Sequence, residues 1–118
     1  MISSILVGIV AVEHVYILCL EMFLWTSPRG MKTFGTTKEF AEASKALAAN
    51  QGLYNGFLAA GLIWGLVHPN AEFGGQLTLF FLCCVLIAAL YGGATVSRSI
   101  LLKQGLPAII ALLAVLFL

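Results

Sequence analysis

Apolar positions run along this chain in long stretches separated by short polar clusters. From Ile2 to Trp25 the stretch is interrupted mainly by Ser3, Ser4, Glu13, His14 and Glu21, and it closes at Thr26-Ser27-Pro28-Arg29-Gly30. Turn residues around a proline end a helix, so the pattern predicts a first helix over about 2–25. Thr36 followed by Glu39 has the spacing of a capping box. No proline then interrupts the chain until Pro69, which predicts an amphipathic juxtamembrane turn over about 37–45 running directly into an apolar span over about 46–67. His68 to Gly75 is a short turn, and a third span follows over about 76–96. From Gly105 onward the last apolar stretch would cover only about 21 Å of a roughly 30 Å hydrocarbon core. Starting it at Ser99 gives a fourth span over about 99–118, with Lys103 snorkelling to the interface and Pro107 accommodated as an early kink.

Composition assigns the solvent of these helices. The 118 residues are 61% hydrophobic and 9% charged, with a formal net charge of +1, against roughly 25% charged residues in soluble domains. A soluble enzyme is excluded, and at about 20 residues per crossing four spans leave no room for a second domain. The reading is an all-α, single-domain polytopic membrane protein, residues 1–118, with four transmembrane helices in a compact bundle. The near-neutral charge and the lack of a basic run argue against a nucleic-acid partner. Cys19, Cys83 and Cys84 lie in apolar runs without C-x-x-C spacing and read as packing residues. Met1 to Trp25 has no Lys or Arg before Arg29 and carries three ionisable residues, so it reads as a retained span rather than a cleaved signal.

The cations fix an orientation. Arg29, Lys32, Lys38 and Lys45 fall in or beside the first loop, none in the second, and Arg98 and Lys103 flank the third. The positive-inside rule places the first and third loops in the cytoplasm and both termini outside.

Ionisable groups inside spans are rare and by default functional. At about 100° per residue, Glu13, His14 and Glu21 share one face of the first helix, with Glu21 about 12 Å nearer the cytoplasm than Glu13. That separation, and the absence of a Glu-x-x-His ladder, argue against a metal site; no cofactor is expected. On the second helix Asn50, Gln51, Tyr54 and Asn55 form a polar arc at the depth of Glu21. Tyr91, Thr95, Ser97 and Arg98 of the third helix and Gln104 of the fourth reach the same level. Two readings follow. In one, these groups only tie helices together by hydrogen bonds worth about 0.6 kcal/mol each. In the other, Glu21, Asn50, Gln51, Tyr54 and Asn55 line a cytoplasm-facing pocket for a small molecule, Glu13 and His14 relay protons into it, and Tyr91, Arg98 and Gln104 form a secondary pocket. Gly52-x-x-x-Gly56, Gly61-x-x-x-Gly65, Ala88-x-x-x-Gly92 and Ala89-x-x-x-Gly93 permit close helix approach. Some of these faces are expected to form a homo-oligomeric contact, with membrane lipid around the rest.

The segments His14-Val15-Tyr16-Ile17 to Leu20-Glu21-Met22-Phe23-Leu24-Trp25, then Ala49-Asn50-Gln51-Gly52-Leu53-Tyr54-Asn55-Gly56-Phe57, and Gln104-Gly105-Leu106-Pro107-Ala108 resemble a family of small bacterial membrane proteins catalogued as a domain of unknown function, some members of which carry the label "epimerase". The resemblance covers essentially the whole chain. It implies a four-helix protein of the bacterial inner membrane and brings no substrate. No glycine fingerprint for a nucleotide follows a strand here, so the label adds little. The leading functional expectation is binding or transport of a small molecule with proton coupling. The alternatives are a membrane-embedded enzyme acting on a lipid or quinone-like substrate, similar in layout to the eicosanoid and glutathione metabolism proteins but without their arginine-rich run, or a structural subunit.

Overall fold

The computed structural model describes residues 1–118. It is all-α and contains no strand. Five α-helices follow in order: α1 (Ile2–Met22), α2 (Pro28–Phe34), α3 (Lys38–Val67), α4 (Ala71–Thr95) and α5 (Leu106–Phe117), the last preceded by a π-helical turn at Leu101–Gly105. The chain divides into two compact units, one formed by Glu13–Phe57 and the other by Met1–Val12 with Leu58–Leu118.

In the Glu13–Phe57 unit, α2 is an element the sequence pattern did not predict. The first helix ends at Met22 rather than near Trp25, with the Phe23 and Leu24 amides both donating to the Cys19 carbonyl, and Ser27 and Pro28, expected only as a stop, begin a new helix. The Ser27 hydroxyl accepts from the Gly30 N–H at 3.1 Å, and Pro28 sits in the first turn, where its missing N–H costs nothing. Gly35, at φ 66°, ends the helix in the left-handed region, and the next amide donates to the Met31 carbonyl at 3.0 Å. Trp25 closes this corner: its indole N–H donates to Ser44 Oγ at 3.1 Å, and its ring lies 4.9 Å from that of Phe34.

The capping box expected at Thr36 and Glu39 is displaced by one residue. Thr37 Oγ1 accepts from the Phe40 N–H at 3.2 Å, whereas Thr36 Oγ1 is buried without a partner. Residue 40, three past the cap, is a phenylalanine and cannot return a hydrogen bond. Thr37→Ala is therefore expected to cost about 0.5–2 kcal/mol. Thr36→Val, which removes an unserved hydroxyl, should be neutral or stabilising. Thermal melts followed by circular dichroism separate the two.

The other unit is built around Val7, Val10 and Ala11 of α1, Leu62 of α3, Leu82 and Val85 of α4, and Ala108 and Ala111 of α5. The small-residue stripes expected at an oligomer contact are used within the chain here. A Cβ on Gly61 would meet the Phe81 ring, one on Gly74 would lie 2.6 Å from the Gly65 carbonyl oxygen, and one on Gly93 would meet Leu101. Helical backbone resumes at Ser99 and passes through the π-turn into α5, and the π-turn explains how Pro107 is tolerated. The Leu106 N–H reaches back to the Leu101 carbonyl, and this wider turn makes room for a ring that would strike the carbonyl four residues earlier in a regular helix.

Two helices, α1 and α4, are long and apolar enough to cross a membrane. Only 22% of the apolar window in α1 and 28% of that in α4 is buried. A core helix of a soluble protein would be mostly buried, and these helices instead turn Ile5, Ile9, Val12, Phe80, Ile87 and Leu90 outward. The other two expected spans differ for identifiable reasons. Helix α3 has the length, but Asn50, Gln51, Tyr54 and Asn55 dilute its apolar run. Leu101–Phe117 is apolar but shorter than the other two.

Candidate functional site

The buried polar groups of the Glu13–Phe57 unit arise from a close crossing of α1 and α3. Gly52 and Gly56 have no side chains to hold the helices apart. A Cβ on Gly52 would lie 2.7 Å from Met22 Cγ and 3.0 Å from Glu21 Cβ, and one on Gly56 would lie 2.6 Å from Leu18 Cδ1. The approach brings Asn55 onto Glu21, and the Asn55 amide donates to Glu21 Oε1 at 2.6 Å. Both are buried, with Glu21 8% and Asn55 9% exposed. The acid has a fixed neutral donor and no cation beside it.

About two turns toward the start of α1 the arrangement changes. His14 is buried, and its Nδ1 lies 4.0 Å from Glu13 Oε1, too long for a hydrogen bond. Glu13 Oε1 is buried and has no hydrogen-bond partner, although the side chain as a whole is 26% exposed. Glu21 Oε1 has a hydrogen-bond donor, and Glu13 Oε1 has none.

The rest of the expected pocket separates in the structure. Asn50, Gln51 and Tyr54 are exposed on α3, with Tyr54 53% exposed, while Asn55 is buried. At about 100° per residue Asn55 lies on the face of Gly52 and Ala59, while Tyr54 lies about 100° and Asn50 about 140° from it; Gln51, only about 40° away, is exposed all the same. The polar arc is split between a packed side and a free side. Tyr91 and Arg98 are likewise exposed and Gln104 is half-buried, and no hydrogen bond joins the three. No group of three or more His, Cys, Asp or Glu side chains is placed to hold a metal ion.

One contact escaped the sequence reading. Arg29 Nε donates to the Tyr16 hydroxyl at 3.0 Å, with the guanidinium 5.6 Å from the centre of the ring. It ties the start of α2 back onto α1 and holds one cation of the first loop in place.

Asn55→Leu tests the buried pair. It removes the donor and leaves Glu21 Oε1 unserved beside an apolar side chain, so a loss of about 1–3 kcal/mol is expected, read as a lower melting temperature in detergent. Adding Glu21→Leu to that variant should restore much of the loss, because an apolar pair leaves no buried group without a partner.

Three comparisons place the chain among known proteins. The family described as "Protein of unknown function (DUF1304)" matches residues 8–116. The chain is 36% identical over 117 residues to "Uncharacterized protein YpaA" of Lactococcus lactis subsp. lactis (strain IL1403), covering 98% of this chain and 97% of that protein. No solved structure matches it. The family match takes in Glu13, His14, Glu21 and Asn55 with all the helix crossings described above, and the chain belongs to the DUF1304 family of proteins of unknown function.

Proposed function

We propose that this protein is a multi-pass protein of the bacterial inner membrane that binds or transports a small molecule, and that Glu13 with His14 is its proton-exchanging centre. The observation that carries the reading is the buried, unpartnered Glu13 Oε1. Polar groups that only join helices are partnered, as Glu21 is by Asn55. A carboxyl kept in an apolar helix with a buried oxygen that no donor serves has no such role and suits exchange of a proton or contact with a ligand. The Glu21 to Asn55 bond on its own favours a structural reading, and Glu13 is what separates the two.

In this reading four helical segments cross the membrane: α1, the later part of α3, α4, and the π-turn with α5. At about 1.5 Å per residue α3 is about 45 Å long, so its first turns, with Lys38, Glu39, Glu42 and Lys45, extend beyond a roughly 30 Å core. The cations of the first and third loops then face the cytoplasm, with the start of α1 and the end of α5 outside. Asn50, Gln51 and Tyr54 would meet lipid on a lone chain, which is costly for amides. A second copy covering this face would complete the pocket and bring the three residues back to it as ligand groups.

The test is proton movement in proteoliposomes across a panel of candidate solutes. Solute-driven proton flux that Glu13→Gln abolishes supports the reading. Flux identical in wild type and Glu13→Gln for every solute, or no flux with any, would sink it.

A further inference from the structure

The unit containing the α3 to α4 turn holds two cavities that share one residue, His68. One, about 260 Å³, is lined by Ser3 and Ser4 of α1, His68, Gly75 and Thr78 among others. The other, about 240 Å³, is a groove lined by Trp64, His68, Phe73, Gln76, Leu77 and Phe80. The first offers hydroxyls and an imidazole, the second mostly aromatic and aliphatic faces. Neither is lined by a Lys, Arg, Asp or Glu. At roughly 30 Å³ per water in the liquid, each has space for a small ring or a few methylenes.

The turn itself sets the chemistry of His68. His68 Nδ1 lies 3.0 Å from the Asn70 backbone N–H and 3.2 Å from the Asn70 carbonyl oxygen; the amide can only donate, and with Nδ1 accepting from it the proton of the neutral ring sits on Nε2. His68 therefore offers an N–H donor at the junction of the two cavities. Its ring stands 6.2 Å from that of Trp64 and 6.1 Å from that of Phe73, which hold it between them. Thr78 Oγ1 already donates to the Gly74 carbonyl at 2.9 Å and keeps its lone pairs for one more donor.

We propose that His68 joins these two cavities into one binding site for a neutral amphiphile, its hydrogen-bond-accepting head in the Ser3, Ser4 and Thr78 cavity and its apolar tail on the Trp64, Phe73 and Phe80 groove. A charged headgroup finds no counter-ion in either lining and would be desolvated without compensation. A carbonyl-bearing head, quinone or glyceride ester, matches the His68 N–H and the serine hydroxyls. The site is separate from Glu13, and the two proposals stand or fall independently.

Gly75 supplies the variant. It lines the polar cavity, and a Cβ there meets nothing within 4 Å, so a side chain can be introduced at this wall of the cavity. The experiment titrates the purified full-length protein in detergent with a benzoquinone bearing one prenyl unit and follows tryptophan fluorescence, Trp64→Phe reporting the share from Trp25. Saturable quenching is expected, lost in Trp64→Phe and weakened at least tenfold in Gly75→Leu and in His68→Phe, with helicity unchanged. Reversal of the quenching by monoolein would assign the head to a glyceride, and persistence against monoolein to a quinone; both uphold the site. Quenching that never saturates, or that is the same in wild type, Gly75→Leu and His68→Phe, overturns it. Ser4→Ala, at an exposed position, reads the same site if Gly75→Leu fails to fold, and it should weaken the quench at least twofold. An unchanged affinity there contradicts the proposal.

Discussion

Gly74→Ala is expected to destabilise the protein by about 1–3 kcal/mol, while Gly75→Ala, one residue away, leaves it unchanged or more stable by about 0.5–1 kcal/mol. Both are interior residues of α4. In α-helical backbone alanine is the better residue at each, so propensity predicts a gain twice. Packing reverses the sign at one position only. A Cβ on Gly74 would stand 2.6 Å from the Gly65 carbonyl oxygen and 3.3 Å from His68 Cβ, and a backbone carbonyl inside α3 cannot swing aside as a side-chain end can. The helices must part, and contacts along their crossing loosen with them. A Cβ on Gly75 meets open space. Thermal melts of the two single variants in one detergent measure the difference directly. Equal melting temperatures would mean that α3 and α4 do not cross at Gly65 and Gly74.

The second large effect separates the two acids of α1. Glu13→Gln is expected to leave the fold intact and to lower solute-driven proton flux at least tenfold. Glu21→Gln should do much less to flux. Glutamine keeps the oxygen that accepts the Asn55 amide, so the bond between α1 and α3 survives. At position 13 there is no hydrogen bond to Oε1 to lose, and only the exchangeable proton disappears. If both variants lower flux alike and also melt alike below wild type, the two residues are structural.

Much of this arrangement is legible in the sequence. Gly52 and Gly56 announce a close crossing, and placing Glu21 and Asn55 at one depth follows from counting residues inward from the basic first loop. Their pairing is the product of those two facts. The azimuths separate Asn50 from Asn55, which lies with Gly52 and Ala59, but they do not separate Gln51, which is only about 40° from Asn55 and is nonetheless exposed. Helix α2 was written in Ser27 and Pro28, which carry an N-cap and a first-turn proline as well as a stop. Which helices receive the Ala88 to Gly93 stripe, by contrast, depends on the chain folding back through the π-turn, and nothing local to residues 88–93 specifies that Ile100 and Leu101 will fill it. The unserved state of Glu13 is likewise a tertiary fact, because an acid at that position reads the same whether or not a donor reaches it.

The central claim, that Glu13 carries an exchangeable proton in apolar surroundings while Glu21 is held by Asn55, can be tested without knowing the solute. A hydrophobic carbodiimide adds to carboxyls that carry a proton and that it can reach from the lipid, leaving a stable N-acylurea that mass spectrometry locates by residue. In native membranes the label is expected on Glu13 and not on Glu21, with Glu21 becoming labelled in Asn55→Leu. Labelling of Glu21 alone, or of neither acid in wild type, would contradict the account.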